Sequence, residues 1–321
     1  MLMELGNHPS LTLLQIANTA FAELGLTQVT AVVGSTSLQT QQMLALINRE
    51  GWGLQQDNEW TALQALNIIN IATPITTTGT LTAGSAIITA IPSTSGITAN
   101  TWVVSGSAIP VAARVVSVDS ATQITMDSEA NAAATATTLT FAQDTYAFPT
   151  NFDRFINRTS WDRTNRWEVL GPDTPQIDEW HRSGIVVTGP RRHARQVGTL
   201  PNAYRLWPPP GATETVWETV FEYVQNTWVV SAGGTGKTTM TVDTDTSLID
   251  PQAIILGVIW RFLRAKQFSY ADQFKEWQDY KSSRIAKDGG AMTLSMARKP
   301  LSLLITSANV QDGFFPSNDS T

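Results

Sequence analysis

The sequence predicts an α+β fold: a helical bundle from the N- and C-terminal helices, a strand-rich central part, and an inserted β-sandwich domain. Three observations carry this. Apolar residues recur at helical spacing near both ends of the chain. Between about Thr76 and Ala142, serine, threonine, alanine and glycine displace nearly all charged residues, in short alternating runs. After Pro149, arginine and aromatic residues interleave, and alternation returns from Arg192 onward.

These shifts divide the chain into N-terminal helices (1–72), the inserted Ig-like sandwich (73–144), a strand-rich Arg/Trp region (145–248), closing helices (249–290) and an apolar arm (291–321). Leu11, Leu14, Ala17, Ala20, Phe21 and Leu24 mark a first helix, with Ser10 as N-cap and Gly25 at its end. A second helix starts near Ser37 and carries Met43, Leu44, Ile47 and Leu54, with Gly51 and Gly53 weakening its end. Trp60, Leu63, Leu66 and Ile69 extend the helical theme to residue 70.

In the insert, alternating runs at Thr80–Thr82, Ala86–Ala90, Thr101–Ser105, Ala113–Val118, Gln123–Met126 and Thr137–Phe141 lie between turn signals such as Ser95-Gly96 and Asp119-Ser120. Beyond it, Thr174 caps a short helix over Pro175–Arg182, with proline in its first turn. Strands are expected at His193–Val197, Ala203–Trp207 and Thr215–Val224. Asp250-Pro251 opens a helix carrying Ile254, Ile255, Val258, Ile259, Phe262 and Leu263; after a break at Gln267–Ser269 a second runs to Gly289-Gly290. Each helical pair offers one apolar face, so the two pairs are natural partners.

The stretch SAGGTGKTTM (Ser231–Met240) resembles half of a phosphate-binding loop. The first glycine of that motif is replaced by Ser231, and the residues after Lys237 alternate and are β-branched, where a phosphate loop needs a helix. A hairpin is the expectation: Trp228–Val230 going up, Gly233–Gly236 turning, Thr239–Val242 returning. No cofactor is expected.

The chain has 321 residues, of which 42% are hydrophobic, enough for real cores. It has no cysteine, which excludes disulfides and thiolate metal sites. His8, His181 and His193 are scattered and fit no metal-binding spacing, so no metal is expected. No apolar run approaches the roughly 18 residues of a bilayer span, and the N-terminus lacks a signal peptide's basic start. A soluble protein made in a cytoplasm is expected, without membrane partners. The net charge of −6 is unevenly placed: before residue 150 the only cations are Arg49 and Arg114, whereas arginines crowd the stretch from Arg154 to Arg205. Such asymmetry argues for an interface.

At FDRFINRTSWDRTNRW (152–167), GPDTPQIDEWHRSGI (171–185), FEYVQNTWVVS (221–231), the stretch from Asp243 to Trp277, and Ser35–Gly51, the chain resembles head-to-tail adaptor (connector) proteins of short-tailed bacteriophages. The resemblance covers roughly residues 1–70 and 145–290 and omits the insert, which resembles β-sandwich modules attached to many phage structural proteins. It implies a virion protein of the neck: a homo-oligomeric ring, commonly of about twelve copies, between the portal and the tail nozzle or tube, with genome DNA passing through unread. Arg154, Arg158, Trp161, Arg163, Arg166 and Trp167 are the candidate subunit interface, since buried arginine and tryptophan dominate interface energetics. Their alternative is the subunit's own core. Trp260, Arg264, Leu301, Leu303, Leu304, Phe314 and Phe315 are the candidates for portal binding, the apolar arm ordering as it docks. An acidic wall, not the arginine strip with Arg191, Arg192 and Arg195, suits a channel that must not hold the duplex.

Two rival readings remain. Glu168, Asp173, Asp178 and Glu179 supply carboxylates for a cell-wall hydrolase, although nothing separates them from surface acids, and the expectation is no enzyme. The insert, with its hydroxyls and Trp102, is the candidate for a host glycan or a tail fiber, against a plain spacer.

Overall fold

The computed structural model describes residues 10–183, 191–198, 203–211 and 218–289. Helix α1 (Leu13–Glu23) starts at Thr12, not at Ser10. Thr12 and Gln15 form a capping box, each side chain accepting from the other's backbone N–H (3.3 and 2.9 Å). Ser10 has Leu13 three residues on and cannot make that reciprocal pair.

Helix α2 (Leu38–Asp57) runs through both glycines expected to weaken it. Gly51 has a packing reason. A Cβ there would lie 2.2 Å from the ring of Trp228, which is wholly buried against this turn. After a 3₁₀ turn (Thr61–Leu63), the chain turns extended as β1 (Gln64–Asn70), correcting the helical expectation for this stretch. Trp60 and Leu63 enter the bundle core, Ile69 enters a different core, and Leu66 faces outward, so their helical spacing reflects three destinations.

The insert comprises β2 (Ile75–Leu81), β3 (Ile87–Thr89), β4 (Trp102–Ser105), β5 (Val115–Ser120), β6 (Gln123–Met126) and β7 (Ala134–Gln143). They form one antiparallel sheet in the order β4-β7-β2-β3-β6-β5. A bridge between Val103 and Arg114 joins the two edges, so the sheet curls around its own core instead of splitting into two layers. Ile88, Val115, Ile124, Leu139 and Phe141 fill it.

Beyond the insert come β8 (Thr145–Ala147), β9 (Phe152–Phe155), β10 (Trp161–Asp162), β11 (Trp167–Glu168), α3 (Pro175–Arg182), β12 (His193–Val197), β13 (Ala203–Trp207) and β14 (Glu218–Gln225). β14 pairs with β1 along seven residues, from Gln64↔Val224 to Asn70↔Glu218, and with β9 and β10 on its other side. β12, β13 and β8 make a second sheet. Between them lies an aromatic core: Phe148 stacks on Phe152 at 4.0 Å, and Phe155, Tyr204 and Phe221 meet them mostly edge to face.

The glycine–lysine stretch is a small sheet of β15 (Val229–Val230), β16 (Gly236–Lys237) and β17 (Thr246–Ser247). The hairpin is present, with Gly236–Lys237 as its return strand in place of Thr239–Val242. Its loops latch the helices. Asn48 and Met240 exchange hydrogen bonds (2.7 and 3.1 Å), the Leu13 N–H donates to the Asp245 carbonyl (2.8 Å), and the Asp243 carboxylate accepts from the N–H groups of Val32 and Val33.

Helices α4 (Pro251–Ala265) and α5 (Ala271–Lys287) then pack with α1 and α2 in one core, containing Leu13, Phe21, Ile47, Ile254, Val258 and Trp277. Asp250 caps α4 ahead of its first-turn proline. The α2–α4 contact is close because Gly257 lies against Glu50, where a Cβ would fall 2.3 Å from Glu50 Cδ. Glu50 is 1% exposed and is met by Arg261; burial pushes its carboxyl above the usual range, and the guanidinium opposes that. The described residues up to Asp288 belong to one compact unit.

Gly51 and Gly53 make a paired test. Gly53 has nothing within 4 Å of its would-be Cβ, so Gly53→Ala stabilises by about 0.5–1 kcal/mol through helix propensity. At Gly51 the same gain is outweighed by overlap with Trp228, and Gly51→Ala destabilises by about 1–3 kcal/mol. Urea unfolding monitored by tryptophan fluorescence reads both; a Gly51→Ala variant as stable as Gly53→Ala would refute the close approach.

Candidate functional site

Strand alternation decides which central residues reach solvent. On β14, Thr219, Phe221 and Tyr223 face the aromatic core, which turns Val220 and Glu222 outward. The register then sets Ile68 and Trp161 on either side of Val220, and Leu66 opposite Glu222. Leu66 and Ile68 are each 48% exposed and Trp161 44%, while Val220 beneath them is 5% exposed. Together with Thr159, Arg163 and Arg166, several of these residues line an open groove of about 420 Å³.

The hairpin β10–β11 builds one wall of this groove. Asp162, buried behind it, accepts from the Asn165 backbone N–H (2.9 Å) and side-chain amide (2.7 Å), holding the four-residue turn. Arg163 and Arg166 are carried exposed on that turn. Arg163 reaches Glu218 (2.9 Å) across the sheet. The register pairs Trp161 with Glu168 and Asp162 with Trp167, so the two tryptophans leave opposite faces of the hairpin. Trp167 is 41% exposed and lies under the Arg191 guanidinium, 5.7 Å from its ring centre.

Of the six candidate interface residues, the structure gathers Trp161, Arg163 and Arg166 on one groove. Arg158 lies nearby with its side chain 87% exposed and Glu168 at 3.8 Å. Arg154 is elsewhere, tied to Asp153 (2.6 Å) and the Asn58 carbonyl (3.0 Å) at the end of α2. Leu66 and Ile68 were missed, because the run containing Leu66 reads as helix; their alternation within Gln64–Asn70 was the available signal.

Among the portal candidates, Trp260 is 5% exposed and lies beneath Tyr270, Phe274 and Trp277 as bundle core, so it is not itself a contact surface. Arg264 is exposed at the end of α4, and Phe268, next to it in the α4–α5 turn, is 63% exposed. Leu301, Leu303, Leu304, Phe314 and Phe315 lie outside the described residues.

The rival sites are largely committed elsewhere. Lys237 Nζ donates to both oxygens of Asp245 (2.8 and 3.0 Å) and to Thr241 (3.1 Å), and β16 is followed by a loop, not a helix. Asp178 is buried between Arg195 and Arg205, which pins α3 to the β12–β13 sheet. Arg192 donates to the Pro208 carbonyl. Trp102 is 4% exposed in the core of the insert and offers no ring for a sugar. His181 and His193, far apart in sequence, have ring centres 4.1 Å apart, a correction to their expected scatter. Burial pushes the His193 imidazole below its usual range and the neighbouring Asp173 carboxyl above its own.

The insert is welded to this region by a buried carboxylate. Asp144, wholly buried at the end of β7, accepts from both terminal nitrogens of Arg114 (3.1 and 2.5 Å) and from the Thr145 hydroxyl (2.7 Å). Arg182 of α3 approaches it to 3.7 Å and donates to the Ala112 carbonyl (3.1 Å). Among the described residues, no helix is long and apolar enough to cross a membrane. Comparison with protein-family models and with curated proteins gives no match.

Asp144→Ala leaves Arg114 and Arg182, each with a side chain 11% exposed, without their anion. A loss of about 3 kcal/mol is expected, the scale for breaking a buried ion pair. Chemical denaturation reads it; a variant within about 0.5 kcal/mol of the parent, the scale of an ordinary surface substitution, would contradict the weld.

Proposed function

We propose that the chain is the subunit of a head-to-tail adaptor ring in a short-tailed bacteriophage. It joins copies of itself through the outer face of β1, β14 and β10, and the ring sits between a portal and a tail nozzle or tube, leaving a passage for DNA. The observation that carries this reading is the row of Leu66, Ile68 and Trp161, held exposed by the register that buries Phe221 and Tyr223 behind it. An apolar row beside Arg163 and Arg166 has the composition of an interface centre with a charged rim.

The occupant is a second copy. The chain carries its own complement to an arginine-bearing face: before residue 150 its only cations are Arg49 and Arg114, against many carboxylates. A ring also needs two unlike faces on each subunit, which the arginine-bearing stretch from Arg154 to Arg205 and the cation-poor part before residue 150 supply. On this reading the α4–α5 turn, with Arg264 and Phe268 exposed, and the arm from Ala291 onward meet the portal. The commitment of Asp178 and Lys237 to internal partners favours a structural role over hydrolysis or nucleotide binding.

The test is the mass of the assembled protein, measured for the full chain alone and after mixing with portal rings. The parent chain is expected to reach a closed multiple of its subunit mass. Leu66→Ser with Trp161→Ser removes about 2 kcal/mol or more from each contact, roughly thirtyfold in affinity, and leaves monomers whose circular dichroism is unchanged. Assembly of that variant at the parent's concentration dependence would refute the self-mating face. Removal of the residues after Gly290 is expected to leave a soluble chain that no longer joins portals; normal joining would refute the role of the arm.

A further inference from the structure

The turn into α3, the last turn of α3 and the start of β12 converge on Asp173, His181 and His193. The convergence is built into the backbone. Leu170 and His193 form a parallel bridge, with hydrogen bonds Leu170 N–H to Arg192 O (2.8 Å), Ala194 N–H to Leu170 O (2.7 Å) and Asp173 N–H to Ala194 O (2.8 Å). Gly171 permits this close approach: its φ is +138°, and a Cβ there would lie 2.3 Å from the Ala194 carbonyl oxygen. Thr174 caps α3 on the next residue, which sets His181 in the helix's last turn over the same spot.

One ligand atom from each of the three side chains lies within 4.8 Å of the other two. His193 Nδ1 is 3.0 Å from Asp173 Oδ2, yet this buried nitrogen has no aligned hydrogen-bond partner. The two side chains therefore already attract one another, and a cation between them would strengthen that contact. The side chains are 11% exposed at Asp173 and 24% at His193, and His181 is 9% exposed, so the spot is sheltered but reachable.

We infer that Asp173, His181 and His193 form a binding site for a divalent transition ion, zinc being the best fit. Two imidazoles and one carboxylate are a zinc donor set, with nitrogen and oxygen ligands at about 2.0–2.2 Å. Tetrahedral placement at those lengths brings ligand atoms to about 3.4 Å from one another, a closure of about 1 Å or somewhat more from the widest separation here. The fourth position belongs to water. The bound ion ties the loop at Gly171, α3 and β12 together beside the Asp178–Arg195–Arg205 cluster, with the open coordination of a three-ligand zinc site. The site is independent of the ring reading, since its ligands come from one chain and lie off the groove at Trp161.

With no cysteine and only three histidines in the chain, the test is clean. The full chain, stripped with chelator, is titrated with cobalt(II) and then competed with zinc(II). One equivalent is expected to give visible absorption of the strength typical of a four-coordinate site, which zinc abolishes. His181→Gln and His193→Gln each weaken binding at least about tenfold, while His8→Ala leaves it unchanged. Imidazole nitrogen resonances of the parent chain give a reading that needs no variant to fold: zinc is expected to shift two histidines and spare the third. Weak, multi-equivalent binding, or zinc leaving the resonances of His181 and His193 in place, would overturn the site.

Discussion

The central constraint is the register of β14. Its period of two is fixed by Phe221 and Tyr223, which lie in an aromatic core with Phe148, Phe152 and Tyr204. A one-residue slip would take both rings into water. On the opposite face Val224 reaches the helical-bundle core and Val220 is nearly covered, but the flanking strands leave Leu66, Ile68 and Trp161 exposed. Leu66 and Ile68 from β1 and Trp161 from β10 are exposed because the far side of the same strands is committed. A surface that folding cannot bury is one that association can, and on this account the protein's function follows from that leftover face.

Around this sheet the molecule is assembled by side chains that resemble functional groups and serve as fasteners. The Gly-Lys-Thr sequence resembles a phosphate site, but its lysine is bound by Asp245 and its loop secures α1 and α2 through Asp243, Asp245 and Asn48. Asp178 resembles a catalytic acid and instead holds Arg195 and Arg205. Arg182 of α3 ties the insert down through Asp144 and the Ala112 carbonyl, while Arg114 holds Asp144 in place from within the insert. Many arginines are satisfied internally; on the central sheet Arg158 and Arg163 remain exposed although each faces a carboxylate, and Arg166 and Arg264 are exposed as well.

Much of this was legible in the sequence. The helical periodicity of Leu14–Phe21 and Ile254–Leu263, the proline-led starts of α3 and α4, and the alternation at His193–Val197 translate directly into elements, since local propensity and burial agree there. Reading failed where tertiary pairing overrode local pattern. Trp60, Leu63, Leu66 and Ile69 keep helical spacing, yet β14 offers an edge that draws Gln64–Asn70 into a strand. Gly51 looks like a helix weakener until Trp228, distant in sequence, is seen to occupy its place. The curled insert depends on the Val103–Arg114 bridge, which no run of residues announces. The meeting of His181 with His193 is likewise invisible to spacing, because a helix end and a strand start are brought together by the fold.

The most direct measurement is electron cryomicroscopy of intact virions, averaged about the tail axis. The account predicts a closed ring of this chain at the neck, with the Leu66–Ile68–Trp161 face covered by the neighbouring copy and DNA on the axis. A single copy per particle, or a ring whose subunits leave that face in solvent, would contradict it.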